Sequence, residues 1–131
     1  MSARSTINVK CKDGKVRQIY CHNYGHLSHQ GVTLVKHHNS QAKAEAIVNL
    51  GDASYLDKSI EKPEGHSFEN PIKGYSVFYG RDRQEKGVEA QVFESIEEAM
   101  QDGNTQGNEY YWNGKKWMHS RYGTMFIEIT A

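Results

Sequence analysis

Alternating apolar and polar positions near the start of the chain predict a β-hairpin. Apolar side chains occupy every second position over residues 7–11, and residues 16–21 resume an extended pattern. Asp13-Gly14 lies between the two arms, and this dipeptide is typical of tight hairpin turns. Cys11 and Cys21, one on each arm, are therefore interpreted as small, half-buried apolar side chains.

Further extended segments lie in the second half of the chain. Residues 75–79 are rich in aromatic and β-branched side chains, and together with residues 90–93 they are expected to form a hairpin with a long charged tip. Residues 110–118 place two aromatic arms around Asn113-Gly114, the strongest short-range hairpin signal. A closing strand is expected over residues 124–130.

Two segments carry the signals of short helices. In the first, apolar residues recur at close to a 3.6-residue period after an N-cap at Asn39 or Ser40, and Gly51 suits the left-handed position after the helix. In the second, Ser95 and Glu98 form the pattern of a capping box, in which each side chain satisfies a backbone donor of the other residue.

These elements predict an α+β fold with a mostly antiparallel sheet of five to seven strands and two short helices on one face. Residues 32–35 add either a third short strand or the approach to a helix. Residues 52–74 contain both prolines, and such a long connection is either functional or a mobile linker. The 131 residues fit a single domain, 1–131. Homo-oligomerisation is also expected, because pairing hides the exposed edges of a small sheet.

The charge balance narrows the classes of partner. Lys and Arg number 16, equal to the 16 Asp and Glu, so the formal net charge is zero. Nonspecific binding to nucleic acid or to an anionic membrane depends on a net basic field, so neither partner is expected. The sequence has neither a signal-peptide pattern nor an apolar run near the ~20 residues of a membrane span. We therefore expect a cytoplasmic protein whose two cysteines stay reduced.

A cysteine and several histidines lie close together after the first hairpin. Thiolate and imidazole groups suit zinc, and the candidates are Cys21, His22, His26 and His29. Their spacing differs from the paired ligands of structural zinc sites, so surface and half-buried histidines are the favoured interpretation and no metal or other cofactor is expected. Cys–His nucleophilic catalysis is a further alternative, although adjacent strand residues such as Cys21 and His22 point to opposite faces.

The end of the 75–79 segment carries the best candidate for ligand contact. Arg81 and Arg83 follow Tyr79 in an exposed segment, where each guanidinium could bind a phosphate or carboxylate through two hydrogen bonds. The alternative is a solvated tip in which Asp82 and other acidic residues neutralise the arginines. The predicted ligand- or partner-binding residues are Tyr79, Arg81, Arg83, His22 and Tyr24.

Motifs of the common enzyme classes do not occur in the sequence. The chain contains no P-loop, no dinucleotide-binding glycine pattern, no nucleophile elbow and no HExxH zinc motif. No catalytic residue is therefore assigned, and a binding function is favoured over an enzymatic one.

Five segments together carry a family resemblance. They read RSTINVK at 4–10, IYCH at 19–22, HSFENP at 66–71, YGRDR at 79–83 and VFESIEEA at 92–99. In these segments, which span most of the chain, the protein resembles a family of small uncharacterised proteins of tailed phages and prophages.

The resemblance implies a phage-type accessory protein that binds and inhibits a host defence or regulatory component, a counter-defence function. One alternative is a small-nucleotide binder that sequesters an immune signal through Arg81 and Arg83. Another is a metal- or Cys-dependent enzyme that uses Cys21 and His22. The expected partner is a host protein or a small nucleotide, and the expected location is the cytoplasm of the bacterial host.

Overall fold

A computed structural model describes residues 3–130 of the chain. In this range, eight strands form a single sheet: β1 (Ser5–Lys10), β2 (Val16–Cys21), β3 (Ala53–Tyr55), β4 (Val77–Phe78), β5 (Gln91–Phe93), β6 (Asn108–Trp112), β7 (Trp117–Arg121) and β8 (Ile127–Glu128). The order across the sheet is β4-β3-β2-β1-β6-β7-β8, and β5 pairs with the start of β2. The α+β class is confirmed, with one strand more than the predicted maximum.

Five of the seven strand pairings are antiparallel, as predicted. The exceptions are the parallel pairings of β1 with β6 and of β2 with β3. The hairpin β1–β2 turns at Asp13-Gly14, and the hairpin β6–β7 turns at Asn113-Gly114, so both short-range turn signals are confirmed. The parallel contact of β1 with β6 joins the two hairpins into one sheet.

The helices of the described chain are α1 (Val32–His37), α2 (Gln41–Asn49), α3 (Tyr79–Arg83) and α4 (Ile96–Asp102). Two of them, α2 and α4, are the predicted helices. The open alternative at residues 32–35 is settled in favour of a helix, which continues from a π-helical turn at Leu27–Gly31. None of the helices within residues 3–130 is long and apolar enough to cross a membrane.

The predicted helix caps are present, with one difference. The Ser40 hydroxyl accepts the Lys43 N–H at 3.2 Å, and Gly51 adopts a left-handed φ of 83° after α2. The Ser95 hydroxyl accepts the Glu98 N–H at 3.1 Å. The Glu98 carboxylate, however, accepts the N–H of Glu94 at 3.4 Å, one residue before the N-cap. The reciprocal half of the capping box is therefore displaced by one position.

Both faces of the sheet are covered, which corrects the prediction of helices on one face. The main core lies on one face, where Ile7, Val9 and Tyr110 pack with α2. Alternate positions along the strands point to the other face. There Val16 and Tyr111 pack with α4 in a smaller cluster. Amphipathic patterns identified the two helices, but a helix pattern alone does not tell which side of a sheet the helix covers.

A buried polar network lies between the central strands on the α4 side. The Thr6 hydroxyl donates to the Glu109 carboxylate at 2.7 Å, and the Asn8 amide donates to the Thr6 hydroxyl at 2.9 Å. The Gln18 amide in turn donates to the Asn8 side-chain oxygen at 2.8 Å. These contacts connect β2, β1 and β6. Each strand contributes at least one polar side chain to this buried face, where apolar residues would otherwise be expected.

The predicted hairpin of residues 75–79 with residues 90–93 is wrong. Strand β4 ends at Phe78 and pairs with β3, whereas β5 pairs with β2. Helix α3 begins at Tyr79, where the sequence predicted the last residue of the strand. The expected closing strand over 124–130 is also shorter, because β8 covers Ile127–Glu128.

Cys11 and Cys21 lie at opposite ends of the first hairpin. Cys21 pairs with Ser5 at one end, and Cys11 follows the last pair, Lys10 with Val16, at the other. At about 3.3 Å per residue this places the two thiols more than about 15 Å apart, well beyond the reach of a disulfide. Both side chains are buried and free, as small apolar residues would be.

Candidate functional site

The carboxylate of Asp82 is buried at the start of α3 and organises the segment predicted to bind ligands. It accepts the Phe78 N–H at 2.9 Å and the Nε and Nη2 groups of Arg81 at 2.9 and 3.0 Å. Burial alone would raise the pKa of Asp82, but the hydrogen bonds from Arg81 and Phe78 outweigh it and hold the pKa below its usual value. Asp82 is therefore a buried carboxylate, whereas the alternative drawn from the sequence placed it in a solvated hairpin tip.

His66 joins this buried cluster from the long connection between β3 and β4. Its Nδ1 accepts the Ile72 N–H at 2.9 Å, so the network assigns the ring proton to Nε2. Nε2 lies 3.0 Å from the Ser76 carbonyl, to which it donates, and 3.5 Å from the Asp82 carboxylate. The connection is thus anchored at its middle, which favours an ordered loop over the mobile-linker interpretation.

Arg81, a predicted binding residue, directs its guanidinium inward. Besides its two bonds to Asp82, it donates to the Ser76 carbonyl at 3.3 Å and to the Ile60 carbonyl. Its side chain is only 19% exposed. Because Arg81 already binds these intrachain acceptors, its role in the described structure is to hold the loop against α3.

Arg83, two residues later, reaches the surface. Its guanidinium carbon lies 4.6 Å from the centre of the Phe68 ring and 5.5 Å from that of Tyr79. The two rings are themselves 5.9 Å apart. The side chain is 44% exposed and also forms a 3.3 Å ion pair with Glu85. Phe68, Tyr79 and Arg83 together are called the Arg83 surface below.

His22 contacts Tyr20, which in turn interacts with Tyr79 of the Arg83 surface. The Tyr20 hydroxyl is 2.6 Å from Nδ1 of His22. Burial raises the pKa of Tyr20, a nearby Arg4 opposes that shift, and the Tyr79 hydroxyl adds to it, so Tyr79 is close enough to interact electrostatically. The Tyr20 hydroxyl thus contacts His22 directly and interacts electrostatically with Tyr79.

Tyr24 belongs to a different group of aromatic side chains. Its backbone is left-handed, with φ of 59°, and its side chain is exposed. The ring lies 5.4 Å from the His29 ring and packs edge-on against Tyr55 at 6.0 Å. The structure therefore separates the five predicted binding residues. Tyr79 and Arg83 form part of the Arg83 surface, with His22 nearby. Arg81 faces inward, and Tyr24 packs with His29 and Tyr55 instead.

The alternative set around Cys21 does not assemble into a reactive group. Cys21 is fully buried, its thiol donates to the Asn23 carbonyl at 3.7 Å, and burial raises its pKa to about 12. The His26 and His29 rings lie 6.2 Å apart. Across residues 3–130, no three His, Cys, Asp or Glu side chains are placed so that they could hold a metal ion. Cys21 stays protonated at neutral pH and is a poor nucleophile.

Sequence reasoning missed Phe68 and His66, which supply the stacking ring and the anchor of the loop. Their only signals were the length of the 52–74 connection and the HSFENP segment at 66–71. An isolated Phe and His in a polar loop carry no periodicity, so no pattern could show that they pack on α3.

Comparisons with protein-family models, with curated proteins and with solved structures find no match to this chain. The resemblance to small proteins of tailed phages and prophages accordingly stays a prediction from the sequence.

Proposed function

We propose that this protein is a noncatalytic binding protein that recognises a partner protein through the Arg83 surface. The observation that carries the proposal is the exposed guanidinium of Arg83, which stacks on Phe68 and Tyr79. Arg and Tyr are enriched among the residues that dominate binding energies at protein interfaces. Because the buried Asp82 and Arg81 hold the loop and α3 together beneath this stack, less conformational entropy is lost when a partner binds.

The chemistry of the surface defines what the partner presents. Stacking on two rings leaves the N–H edge of the Arg83 guanidinium accessible, and within residues 3–130 that edge forms an ion pair with the exposed Glu85. Exposed ion pairs contribute little stability, so a partner carboxylate can replace Glu85 at small cost. The proposed partner therefore offers an acidic side chain beside an apolar or aromatic patch that covers Phe68.

The class of partner comes from the phage resemblance of the sequence. A small phage protein that binds without catalysis acts by occupying a surface of a host protein, and the proposed target is a host defence or regulatory component in the bacterial cytoplasm. Its function is then counter-defence by inhibition.

A small-nucleotide binder is the second candidate, because stacked aromatic rings and an arginine also accommodate a base and a phosphate. Arg81 weakens this candidate, since its guanidinium is bound to Asp82 and to backbone carbonyls. Arg83 by itself is a poor match for a ligand with several phosphates.

The decisive experiment compares Arg83→Ala with Arg17→Ala in affinity purification from bacterial host lysate. Arg17 is a matched control, because it also forms a surface ion pair, with Asp13 at 3.0 Å, at the start of β2 beside the first hairpin turn. A host protein that binds wild type and Arg17→Ala but is lost with Arg83→Ala, and that rebinds when both components are purified, supports the proposal. Equal recovery with all three proteins contradicts it.

The same preparations distinguish the alternatives. Nucleotide released on heat denaturation, or a rise in melting temperature with cyclic nucleotides that Arg83→Ala abolishes, would establish the nucleotide candidate in place of a protein partner. Stoichiometric zinc in elemental analysis would establish the metal-dependent alternative.

A further inference from the structure

The sheet edge farthest from the Arg83 surface carries an exposed apolar stripe. Met125 is 71% exposed and Ile127 is 65% exposed, although both belong to the segment that contains β8. With Leu27, 45% exposed, and Ile129 they line a groove of about 380 Å³ beside this strand. Large apolar side chains exposed together mark an interaction surface more often than scattered single ones do.

The backbone of β8 is also open to pairing on its outer side. β8 is the last strand in the sheet order. The Ile129 N–H donates inward to the Trp117 carbonyl at 3.1 Å, so residues at odd positions direct their backbone groups toward β7. Because these directions alternate along a strand, the N–H and C=O groups of Phe126 and Glu128 point away from the sheet. They form an unpaired edge next to the apolar stripe.

We propose that this edge pairs antiparallel with β8 of a second copy of the chain, around a two-fold axis at Ile127. A two-fold axis perpendicular to the sheet keeps each side chain on its own face. Side chains alternate between the faces along a strand, so an odd-numbered residue must lie opposite an odd-numbered one, and an even-numbered residue opposite an even-numbered one. With Ile127 opposite itself, Met125 lies opposite Ile129 of the second copy. The apolar stripe is then continuous across both copies, and Phe126 and Glu128 exchange the outward backbone hydrogen bonds.

The charges of the strand favour this register over the one centred on Glu128. A shift of the axis to Glu128 would place the two Glu128 carboxylates directly opposite each other, which is destabilising. In the Ile127 register each Glu128 faces Phe126 of the second copy and keeps its 3.1 Å ion pair with Lys116 of its own chain. The formal net charge of zero adds no long-range repulsion between copies.

The contact is a weak one, because one short strand with its apolar stripe buries less than the ~1,600 Å² of a standard stable interface. It also leaves the opposite edge free, since β4 and the Arg83 surface lie at the other end of the sheet order. The dimer therefore presents two copies of that surface, and its existence can be tested independently of the proposed partner.

Cysteine crosslinking tests the register. In the Ile127 register the two Ile127 residues form a non-hydrogen-bonded pair with Cα atoms about 4.5 Å apart, within disulfide range, whereas the two Glu128 Cα atoms are about 8 Å apart. Oxidation of Ile127→Cys should give a covalent dimer at least tenfold faster than oxidation of Glu128→Cys. Wild type provides the background, because Cys11 and Cys21 are buried. Equal or faster crosslinking of Glu128→Cys, or no crosslinking of either variant, overturns the proposed pairing.

Sedimentation measures the association without a crosslink. Wild type should change from monomer to dimer between about 1 µM and about 300 µM, and Ile127→Lys should weaken that association at least tenfold by placing like charges at the axis. Val92→Lys is the matched control, since Val92 is a 50% exposed strand residue on β5, and it should dimerise like wild type. A wild-type monomer throughout this range, or equal loss in both variants, overturns the proposal.

Discussion

The carboxylate of Asp82 accepts the backbone N–H of Phe78, four residues earlier, at 2.9 Å. Phe78 is the N-cap of α3, so the side chain of Asp82 satisfies a donor that the helix itself leaves free. This contact ends β4 and begins α3 at Tyr79. It also sets where Arg83 emerges, one turn later, beside Phe68.

Replacing Asp82 with Asn should strongly destabilise the fold. The substitution removes the charge that binds Arg81 and leaves a partly buried guanidinium and the buried Phe78 N–H with weaker acceptors, at a cost of about 2–4 kcal/mol. The measurement is the free energy of unfolding in urea. Asp13→Asn is the control, because it removes an exposed aspartate bonded to Arg17 and should change that free energy far less. Similar losses in both variants would contradict the role given to Asp82.

The lowered pKa of Asp82 also predicts an acid-sensitive component of stability. A carboxyl group whose pKa is lower in the folded than in the unfolded state stabilises the fold fully above the unfolded-state pKa of about 3.9. That stabilisation is lost as the pH falls through the lower folded-state pKa. The difference in unfolding free energy between wild type and Asp82→Asn should therefore shrink below about pH 4. A difference that stays constant down to about pH 2 would exclude this linkage.

Asp52 should show the opposite pH dependence. Burial, with smaller effects from Glu85 and Glu89, raises the pKa of Asp52, whose carboxylate accepts the Tyr20 N–H at 2.8 Å. A raised folded-state pKa gives stability that is present below the unfolded-state pKa of about 3.9 and is lost as the pH rises through the folded-state value. Asp52→Asn retains an acceptor for Tyr20 without the charge, so it should be more stable than wild type at pH 7. The gain should vanish at acid pH, and a loss of stability at pH 7 would contradict it.

The thiol of Cys21 should resist modification in the folded protein. It is fully buried and its pKa is raised to about 12, so both access and thiolate fraction are low. Reaction with an aromatic disulfide reagent should be slow in buffer and fast in urea. Cys21→Ser shows which cysteine reacts. If the folded wild type reacts rapidly and folded Cys21→Ser does not, Cys21 is accessible, and the cysteine-dependent alternative regains support.

Local signals predicted the parts of the fold that depend on neighbouring residues. The turns at Asp13-Gly14 and Asn113-Gly114 and the cap at Ser40 follow from backbone preferences within a few positions. The strand over 75–79 was too long, because its aromatic composition does not reveal that Asp82 folds back on Phe78.

Long-range contacts account for what the sequence did not predict. The parallel pairing of Thr6 with Glu109, the position of α4 on the second face and the packing of Phe68 under Arg83 join segments far apart in the chain. For the same reason Arg81 and Arg83 were predicted to act alike. Only the folded structure separates the arginine that anchors the loop from the one that meets solvent.

The central position of β1 has a consequence for how the chain is made. β1 is synthesised before its neighbour β6, which follows about a hundred residues later, so one side of β1 stays open until those residues have left the ribosome. An open strand in a nascent chain is a template for wrong pairing. Truncation before Asn108 would remove β6, leave that template permanently uncovered and favour aggregation of the shortened chain.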